Sequence, residues 1–426
     1  MTEFSALPPE ELQAIKTGLM ERYTTICDRS LSLDITRGKP SPEQLDLSAG
    51  LLETVDARDF TSASGTDCRN YGGLDGLPEA RQLFAEYMGV APEEVIIGGN
   101  SSLNLMYDTF LRAMVHGLGA AHAPWCREAK LKFICPSPGY DRHFAICEQL
   151  GIEMIPVAMT DDGPDMDAVE SLAAADEAVK GIWCVPLYSN PTGAIYSDDT
   201  VDRLARMPTR AADFRIFWDN AYAVHYLGDR PGRVRNILEA CKAAGCPERP
   251  FLFGSTSKIT FPGAGLAMMA GSATNMAWVR SHLFFQTIGP DKLNQLRHVR
   301  FLKNRDGILS HMEKHAAVIR PRFQVVEDVL DAELTGKGIA SWTRPEGGYF
   351  VSFDGPEGCA RTVVKMAADA GVKLTPAGAT YPLKNDPRDS NIRIAPTFAA
   401  IDDVRTAVEV LAICTQIAAI DRLVAK

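Results

Sequence analysis

The segment 253–265 holds a lysine in surroundings that are unusual for a solvated side chain. Lys258 stands among small hydroxyl residues, including Ser255 and Ser257, and a Pro-Gly turn follows it. A lysine in a cramped, uncharged position can have a lowered pKa, and its amine can then react with carbonyl groups. The two serine hydroxyls could hydrogen-bond an anion beside it. A turn with an ordinary solvated lysine explains the same residues, so this motif alone does not decide the function.

A second candidate for anion binding follows an apolar run at residues 94–97. Two glycines lead from this run to Asn100, Ser101 and Ser102, which begin a predicted helix. A helix N-terminus that is reached through glycine and serine presents free backbone amides and the positive end of the helix dipole. The pattern therefore suits a phosphate group, although any tight strand-to-helix turn can use the same glycines.

Strand-like apolar runs recur near residues 132, 152, 181, 214 and 251, with helical patterns between them. This alternation predicts an α/β fold with a largely parallel sheet. In such sheets ligands bind at the carboxyl ends of the strands. The polar or aromatic residues that follow these runs are Tyr140, Asn190, Asp219, Tyr222 and Lys258. We therefore expect their side chains to share one site.

The chain has 426 residues, more than one hydrophobic core usually organises. We expect an N-terminal segment at 1–48 that packs with a small domain, a large domain at 49–315, and a small α+β domain at 316–426. Helical periodicity predicts one helix over 10–33 and another over 291–315. No internal repeat or low-complexity tract interrupts this organisation.

Composition excludes several classes of protein. The net charge of −10 and a pI near 5.4 argue against nucleic-acid binding, which favours a basic surface. The ten cysteines are scattered and lack metal-ligand spacing, which indicates free thiols in a reducing compartment and predicts no metal site. Neither a signal-like N-terminus nor an apolar stretch of about 20 residues is present. We expect a cytoplasmic protein with no membrane partner.

Seven short motifs occur along the chain in a recognisable order, at 71–76, 98–102, 138–140, 190–193, 219–222, 255–258 and 391–393. In this order and spacing the chain resembles the fold-type I enzymes that depend on pyridoxal 5'-phosphate (PLP). It looks like a class I aminotransferase, in particular the MocR-like or alanine–glyoxylate-type branch that includes aspartate aminotransferases. The resemblance implies a large domain with a mostly parallel central sheet flanked by helices, and a smaller α+β domain.

The resemblance also implies roles for the residues that bind the cofactor ring. Lys258 would bind the PLP aldehyde covalently and later move a proton as general acid and base. Asp219 would pair with the pyridine nitrogen and keep it protonated. Asn190 and Tyr222 would hydrogen-bond the 3'-oxygen, and Tyr140 would stack on the ring.

The resemblance further implies a support for Asp219, the residues that bind the cofactor phosphate, and a contribution from a second subunit. His143 resembles a histidine that supports the pyridine-binding aspartate. Tyr71 resembles a tyrosine that reaches the phosphate from the opposite subunit, so the resemblance implies a homodimer with shared active sites, and Thr287 could reach across similarly. The remaining phosphate ligands would be Asn100, Ser101, Ser102, Ser255 and Ser257.

One position departs from the pattern of these enzymes. Most of them carry an arginine eight residues after the lysine, where it holds the phosphate, and here that position is Leu266. Arg37, Lys39 or neutral donors alone are the alternatives for its replacement.

For the substrate, the resemblance assigns the α-carboxylate to Arg393, whose planar guanidinium can form a fork of two hydrogen bonds. A second cation could select an acidic side chain, and the candidates lie in the loop of Arg37, Gly38 and Lys39 or at Lys292 or Arg297. We therefore expect ping-pong transamination from aspartate to 2-oxoglutarate.

Other functions fit the same motifs. They are alanine–glyoxylate or aromatic transamination, a PLP-dependent β-lyase reaction, and the effector-binding domain of a MocR-type regulator. The regulator requires an N-terminal winged helix-turn-helix, but fewer than 40 residues precede the Arg37 loop and they are not basic.

Overall fold

The computed structural model describes residues 2–119 and 121–425. Its helices are α1 Pro9–Cys27, α2 Pro42–Asp46, α3 Pro78–Met88, α4 Ser102–His116, α5 Asp141–Gln149, α6 Met166–Ala175, α7 Asp198–Arg206, α8 Ile237–Ala243, α9 Ala273–Gln286, α10 Lys292–Leu302, α11 Arg305–Leu334, α12 Ala360–Asp369 and α13 Ile401–Val424. Its strands are β1 Leu33–Asp34, β2 Val95–Ile97, β3 Lys132–Ser137, β4 Glu153–Thr160, β5 Gly163–Pro164, β6 Val179–Cys184, β7 Arg215–Asp219, β8 Pro250–Ser255, β9 Ala267–Ala270, β10 Ser341–Trp342, β11 Val351–Asp354, β12 Val372–Lys373 and β13 Asn391–Ile394.

The largest sheet has eight strands in the order β2-β9-β8-β7-β6-β3-β4-β5. Strands β8, β7, β6, β3 and β4 run parallel to one another, and β9 is antiparallel to both of its neighbours. Every residue of β6 and β7 is buried, including the charged residues Lys180, Arg215 and Asp219, so these strands do not alternate between buried and exposed positions. The predicted α/β class with a largely parallel sheet is confirmed.

Aromatic side chains fix the strand that carries Asp219. Phe217, two residues before Asp219 in β7, lies 4.4 Å from the ring of Phe110 in α4 and 5.6 Å from Phe253 in β8, measured between ring centroids. All three side chains are fully buried. Because protein cores pack closely, these contacts hold the end of β7 in one position.

Two helix predictions need correction. The pattern at 291–315 is not one helix, because α10 ends at Leu302 and Lys303 adopts a left-handed backbone with φ 65°. Asn304 then caps α11, its side chain accepting a hydrogen bond from the Gly307 amide. The helix predicted over 10–33 ends at Cys27. Periodicity continues through both breaks and therefore does not reveal them.

The N-terminal and C-terminal parts of the chain pack together. Strand β1 pairs in parallel with β12, with Leu33 opposite Val372, and α1 packs against α13. Strands β10, β11 and β13 form a separate antiparallel sheet. Helix α11 is continuous from Arg305 to Leu334, so the predicted boundary at 315/316 falls inside it and stays a prediction.

None of the helices in residues 2–119 and 121–425 combines the length and apolarity that a membrane span needs.

Candidate active site

Lys258 lies at the turn that follows β8. Its Nζ is 4.9 Å from the centroid of the Tyr222 ring and 5.8 Å from that of Tyr349. Burial lowers the pKa of Lys258, and the negative charge of Asp219 acts in the opposite direction. The neutral amine, which is the nucleophilic form, is therefore more populated at a given pH than in a solvated lysine.

Buried side chains hold this turn from below. His225 Nε2 donates a hydrogen bond to the Lys258 carbonyl, at 3.2 Å. The Thr256 hydroxyl oxygen accepts from the Leu266 amide at 2.8 Å and lies 3.1 Å from His298 Nε2. The backbone of Lys258 is thus fixed on both sides while its side chain points toward the tyrosines.

Asp219 is the last residue of β7, and its two carboxylate oxygens differ in their hydrogen bonding. Its Oδ2 accepts a hydrogen bond from His143 Nε2 at 2.9 Å. Its Oδ1 is buried and has no hydrogen-bond partner among the residues that the structure describes. The His143 ring is stacked on Trp183, with centroids 4.1 Å apart and planes at 5°. The imidazole therefore orients the carboxylate, and Oδ1 is left for a further donor.

Three more predicted residues surround this carboxylate. Asn190 is buried, and its Oδ1 accepts a hydrogen bond from Arg393 at 3.2 Å, which leaves its amide NH₂ to donate elsewhere. Tyr222 is buried, and burial, with the nearby Tyr140 and Asp219, raises its pKa well above the usual value. Tyr222 is therefore a protonated donor at neutral pH. Tyr140 lies edge-on to His143, 4.9 Å between centroids.

Arg393 in β13 lies at the opposite wall of the site. It is 7% exposed, and its Nη1 donates to Asp141 Oδ1 at 3.0 Å as well as to Asn190. The guanidinium carbon lies 4.8 Å from the centroid of the Phe350 ring. Its Nε is buried and has no partner within the described part of the chain. The remaining donors of the fork are available for a carboxylate.

The residues predicted for the phosphate lie together at the start of α4. The Ser257 hydroxyl donates to the Asn100 carbonyl at 3.3 Å, and the Ser255 hydroxyl donates to Ser257 Oγ at 3.1 Å. Ser101 is the N-cap residue of α4 without a side-chain cap, and Ser102 is its first residue. Leu266, at the position of the missing arginine, is 1% exposed and packs in the core. This position therefore supplies no cation.

The loop of Arg37, Gly38 and Lys39 lies beside the wall that contains Arg393. A Cβ atom at Gly38 would lie 2.6 Å from Phe350 Cζ, so a larger residue does not fit without displacing that ring. Arg37 and Lys39 are both exposed, and Lys39 Nζ lies 3.7 Å from the centroid of the Phe398 ring.

The structure also places three further residues that the sequence associates with the site or with the second subunit. Tyr71 is 83% exposed. Lys292 is buried and its Nζ donates to the Gly72 carbonyl at 2.7 Å, so it is not a free cation. Thr287 is the C-cap residue that follows α9, and its hydroxyl oxygen accepts a hydrogen bond from the Gly289 amide.

Comparison with known proteins finds aminotransferases that match nearly the whole chain. The family model for aspartate amino-transferase matches residues 7–426. The chain belongs to the aspartate aminotransferase family. It is 45% identical over 420 residues to the aspartate aminotransferase of Corynebacterium glutamicum, covering 97% of each chain. The crystal structure of an aspartate transaminase from the same species has a TM-score of 0.97 at 44% identity and covers 99% of each chain.

A more distant structure shows the fold alone. The α-aminoadipate aminotransferase of Thermus thermophilus, complexed with N-(5'-phosphopyridoxyl)-L-leucine, is 22% identical, has a TM-score of 0.72 and covers 94% of this chain and 95% of its own. The predicted fold-type I architecture and the aminotransferase activity are thus confirmed, and the family implies the use of PLP.

The residues present fit PLP as the cofactor of this aminotransferase. Asp219 Oδ1 is a buried acceptor without a donor in the described part of the chain, and a protonated pyridine nitrogen would supply that donor. Lys258 lies near Tyr222, the predicted donor to the ring oxygen, and the free amides at the start of α4 suit a phosphate.

Several residues of the site were not predicted. Trp183 supports His143, Asp141 and Phe350 hold Arg393, and His225 holds the Lys258 turn. Asp141 directly follows Tyr140 at the end of a strand-and-turn motif, and that adjacency was the signal available for it. The other three are apolar or histidine residues whose contacts arise only in the folded chain.

Proposed function

We propose that this aminotransferase transfers the amino group of aspartate to 2-oxoglutarate with PLP held by the residues around Lys258. The observation that carries the proposal is the buried Oδ1 of Asp219, which no described residue hydrogen-bonds, in a site that also contains a lysine with a lowered pKa and a buried arginine. The relative named aspartate aminotransferase, 45% identical, supports the choice of amino donor.

The chemistry divides between the cofactor and the chain. When bound, PLP supplies an aldehyde that captures the amino group and a ring that takes up the electron pair released at the substrate Cα. Lys258 Nζ would accept the proton from the substrate Cα and deliver it to the carbon that was the cofactor aldehyde, within the same half-reaction. Asp219 Oδ1 holds the proton on the pyridine nitrogen, because His143 fixes the carboxylate in that direction.

The tyrosine and asparagine beside the lysine position the ring. Tyr222 donates to the 3'-oxygen, since its raised pKa keeps the phenol protonated. The Asn190 amide donates to the same oxygen, because its own Oδ1 is bound to Arg393. The hydrogen bond from Arg393 to Asn190 connects the cofactor site with the substrate site, so the position of each residue fixes that of the other.

The substrate binds between two cations. Arg393 binds the α-carboxylate as a fork, with Asp141 and Phe350 holding the guanidinium in place. Arg37 and Lys39 are both exposed on either side of Gly38, and Arg37 is the better candidate for the side-chain carboxylate because the Lys39 ammonium rests on the Phe398 ring. A charged hydrogen bond of this kind gives about 10- to 100-fold selectivity.

The active unit is a homodimer with shared sites. Tyr71 is 83% exposed in a chain whose other described tyrosines are all less exposed than this, and its segment contacts the one that contains Ile288, which is 63% exposed. Phe284 and Phe285 of α9 are 70% and 85% exposed. Such a group of exposed apolar side chains is typical of a protein interface. Across it, Tyr71 would reach the phosphate site of the other subunit.

A screen of half-reactions tests the proposed donor. Each of the common amino acids is mixed with the PLP-loaded enzyme in a stopped-flow instrument, and the absorbance of the bound cofactor is followed. Aspartate should react with a kcat/KM about 10- to 100-fold above that of alanine. If alanine or an aromatic amino acid reacts faster, the proposed donor is wrong, although membership of the family stands.

A further inference from the structure

A cavity of about 570 Å³ opens at the end of the sheet opposite to Lys258. Strand β7 runs from Arg215 to Asp219, so Arg215 lies four residues, or about 13 Å, from the candidate active site. We call this space the Arg215 cavity. Its polar lining includes Thr209, Arg215, Glu248, Arg249, Thr274 and Asn275.

Arg215 is a buried cation whose guanidinium binds no carboxylate among the described residues, although Asp213 and Glu248 lie near enough to act on its pKa. The residue is 5% exposed, and its Nη1 donates to the Phe214 carbonyl at 3.0 Å. Its Nε is buried and has no partner among residues 2–119 and 121–425. The nearby carboxylate of Asp213 is bound to the Lys180 ammonium at 2.9 Å and to Trp125 Nε1 at 2.7 Å. Burying a charge without a partner is costly, so an anion that completes Arg215 would stabilise the fold.

A second guanidinium lines the same cavity. Arg249 Nη1 donates to the carbonyls of Leu204, Ala205 and Met207, at 3.1, 2.8 and 3.1 Å. Burial lowers the pKa of Arg215 to about 10; the carboxylates of Asp213 and Glu248 oppose this shift, and the positive charge of Arg249 adds to it. Glu248 is the single carboxylate among the described lining residues. The lining therefore carries a net positive charge.

We infer that the Arg215 cavity binds an oxyanion, either a carboxylate or a phosphate, through the guanidinium of Arg215. A guanidinium binds both groups through two parallel hydrogen bonds. The volume is in the range of small-molecule sites, roughly 300–1,000 Å³. The Arg215 cavity is separate from the proposed substrate site. Arg393 of the substrate site belongs to β13, and Arg215 is the first residue of β7, at the end of that strand opposite to Asp219.

The test uses the PLP-loaded enzyme, so that the cofactor phosphate site is filled. Inorganic phosphate and citrate serve as separate probes at constant ionic strength, and binding is followed by melting temperature and calorimetry. Either probe should raise the Tm of the wild-type protein by about 2–4 °C at saturation. The Arg215→Met variant should lose this rise while keeping transamination activity within twofold. Its Tm without added anion should be equal to or above the wild-type value, because an unpaired buried charge has been removed.

Two further variants separate the possible explanations. Glu248→Gln removes the lining carboxylate and should tighten anion binding severalfold; if Glu248 is instead the partner of Arg215, this variant lowers the Tm and no probe binds. Arg206→Met changes an exposed arginine that pairs with Asp202, and it should leave binding unchanged. An equal rise in wild type and Arg215→Met, or no binding of either probe, would overturn the inference. A response to phosphate alone or to citrate alone identifies the chemical source of the anion.

Discussion

Asp219 Oδ2 and His143 Nε2 lie 2.9 Å apart, and the second carboxylate oxygen of Asp219 is buried without a partner among the described residues. Because the imidazole is itself stacked on Trp183, the carboxylate has one orientation. The arrangement presents a single, pre-oriented acceptor at the carboxyl end of β7. A pyridinium nitrogen placed there would meet a negative charge that needs no rearrangement.

Replacing Asp219 should affect turnover far more than cofactor binding. Asp219→Ala should lower kcat by about 10²–10³-fold or more, because the charge that stabilises the electron-rich ring is lost. PLP affinity should change much less, since Lys258 and the phosphate ligands remain. Kinetics and a PLP titration of the purified variant measure the two effects. His143→Phe, which can keep the stack on Trp183, should lower kcat by about 10- to 100-fold through the lost hydrogen bond. A folded Asp219→Ala enzyme with near-normal turnover would contradict the pyridine-nitrogen role.

The purified protein should be yellow because its cofactor is attached to Lys258. Borohydride reduction followed by peptide mapping should place the pyridoxyl group on the peptide that contains Lys258. Lys292 provides an internal comparison, because its ammonium is buried against the Gly72 carbonyl and should stay unlabelled. A label on any other lysine would show that the assignment is wrong.

Hybrid dimers should show whether the sites are shared. Lys258→Ala and Tyr71→Phe subunits are each expected to have low activity. In a purified hybrid, the site with an intact Lys258 receives the intact Tyr71 of the partner subunit, so up to half of the wild-type activity should return. A hybrid of Lys258→Ala with Asp219→Ala is the matched control and should stay inactive, because both residues serve the site of their own subunit. No recovery in the first hybrid would argue for separate sites.

The sequence and the structure agree where function depends on motifs at strand ends. Lys258, Asp219 and Asn190 were predictable because parallel strands bring their carboxyl ends to one edge, whatever the details of packing. The stacking of His143 on Trp183 was not predictable, because it depends on which faces of β6 and α5 pack together. The break at Lys303 was also hidden, because a left-handed residue other than glycine leaves the apolar periodicity unchanged. The sequence also does not reveal that Asp213 binds Lys180 and not Arg215, because this pairing arises only in the folded chain.

Acidification should destabilise the protein partly through His298. This residue is fully buried, its Nδ1 donates to the Asn294 carbonyl, and burial lowers its pKa to about 4. In the unfolded chain its pKa is about 6.5, so between pH 6.5 and 4 the unfolded state binds a proton that the folded state does not. From pH 7 to pH 5 this should remove about 2 kcal/mol from the free energy of unfolding.

Denaturant unfolding at the two pH values measures that contribution. His298→Gln should be less stable at pH 7, since the hydrogen bonds to Thr256 and Thr260 change, but its further loss on acidification should be smaller by about 2 kcal/mol. An unchanged pH dependence in His298→Gln would show that this histidine is not held neutral.

Selectivity for a dicarboxylic donor should depend on Arg37 more than on Lys39. Both cations are exposed beside Gly38, which lies against the Phe350 ring that packs on Arg393, but Lys39 Nζ already lies over the Phe398 ring. Arg37→Ala should therefore lower kcat/KM for aspartate by about 10- to 100-fold and leave the value for alanine nearly unchanged. Lys39→Ala should have a smaller effect, and Arg58→Ala, at a solvent-exposed arginine, should have none. A parallel loss for both amino acids in Arg37→Ala would mean that this cation acts on the cofactor phosphate, in place of the arginine that Leu266 replaces, and does not recognise the substrate side chain.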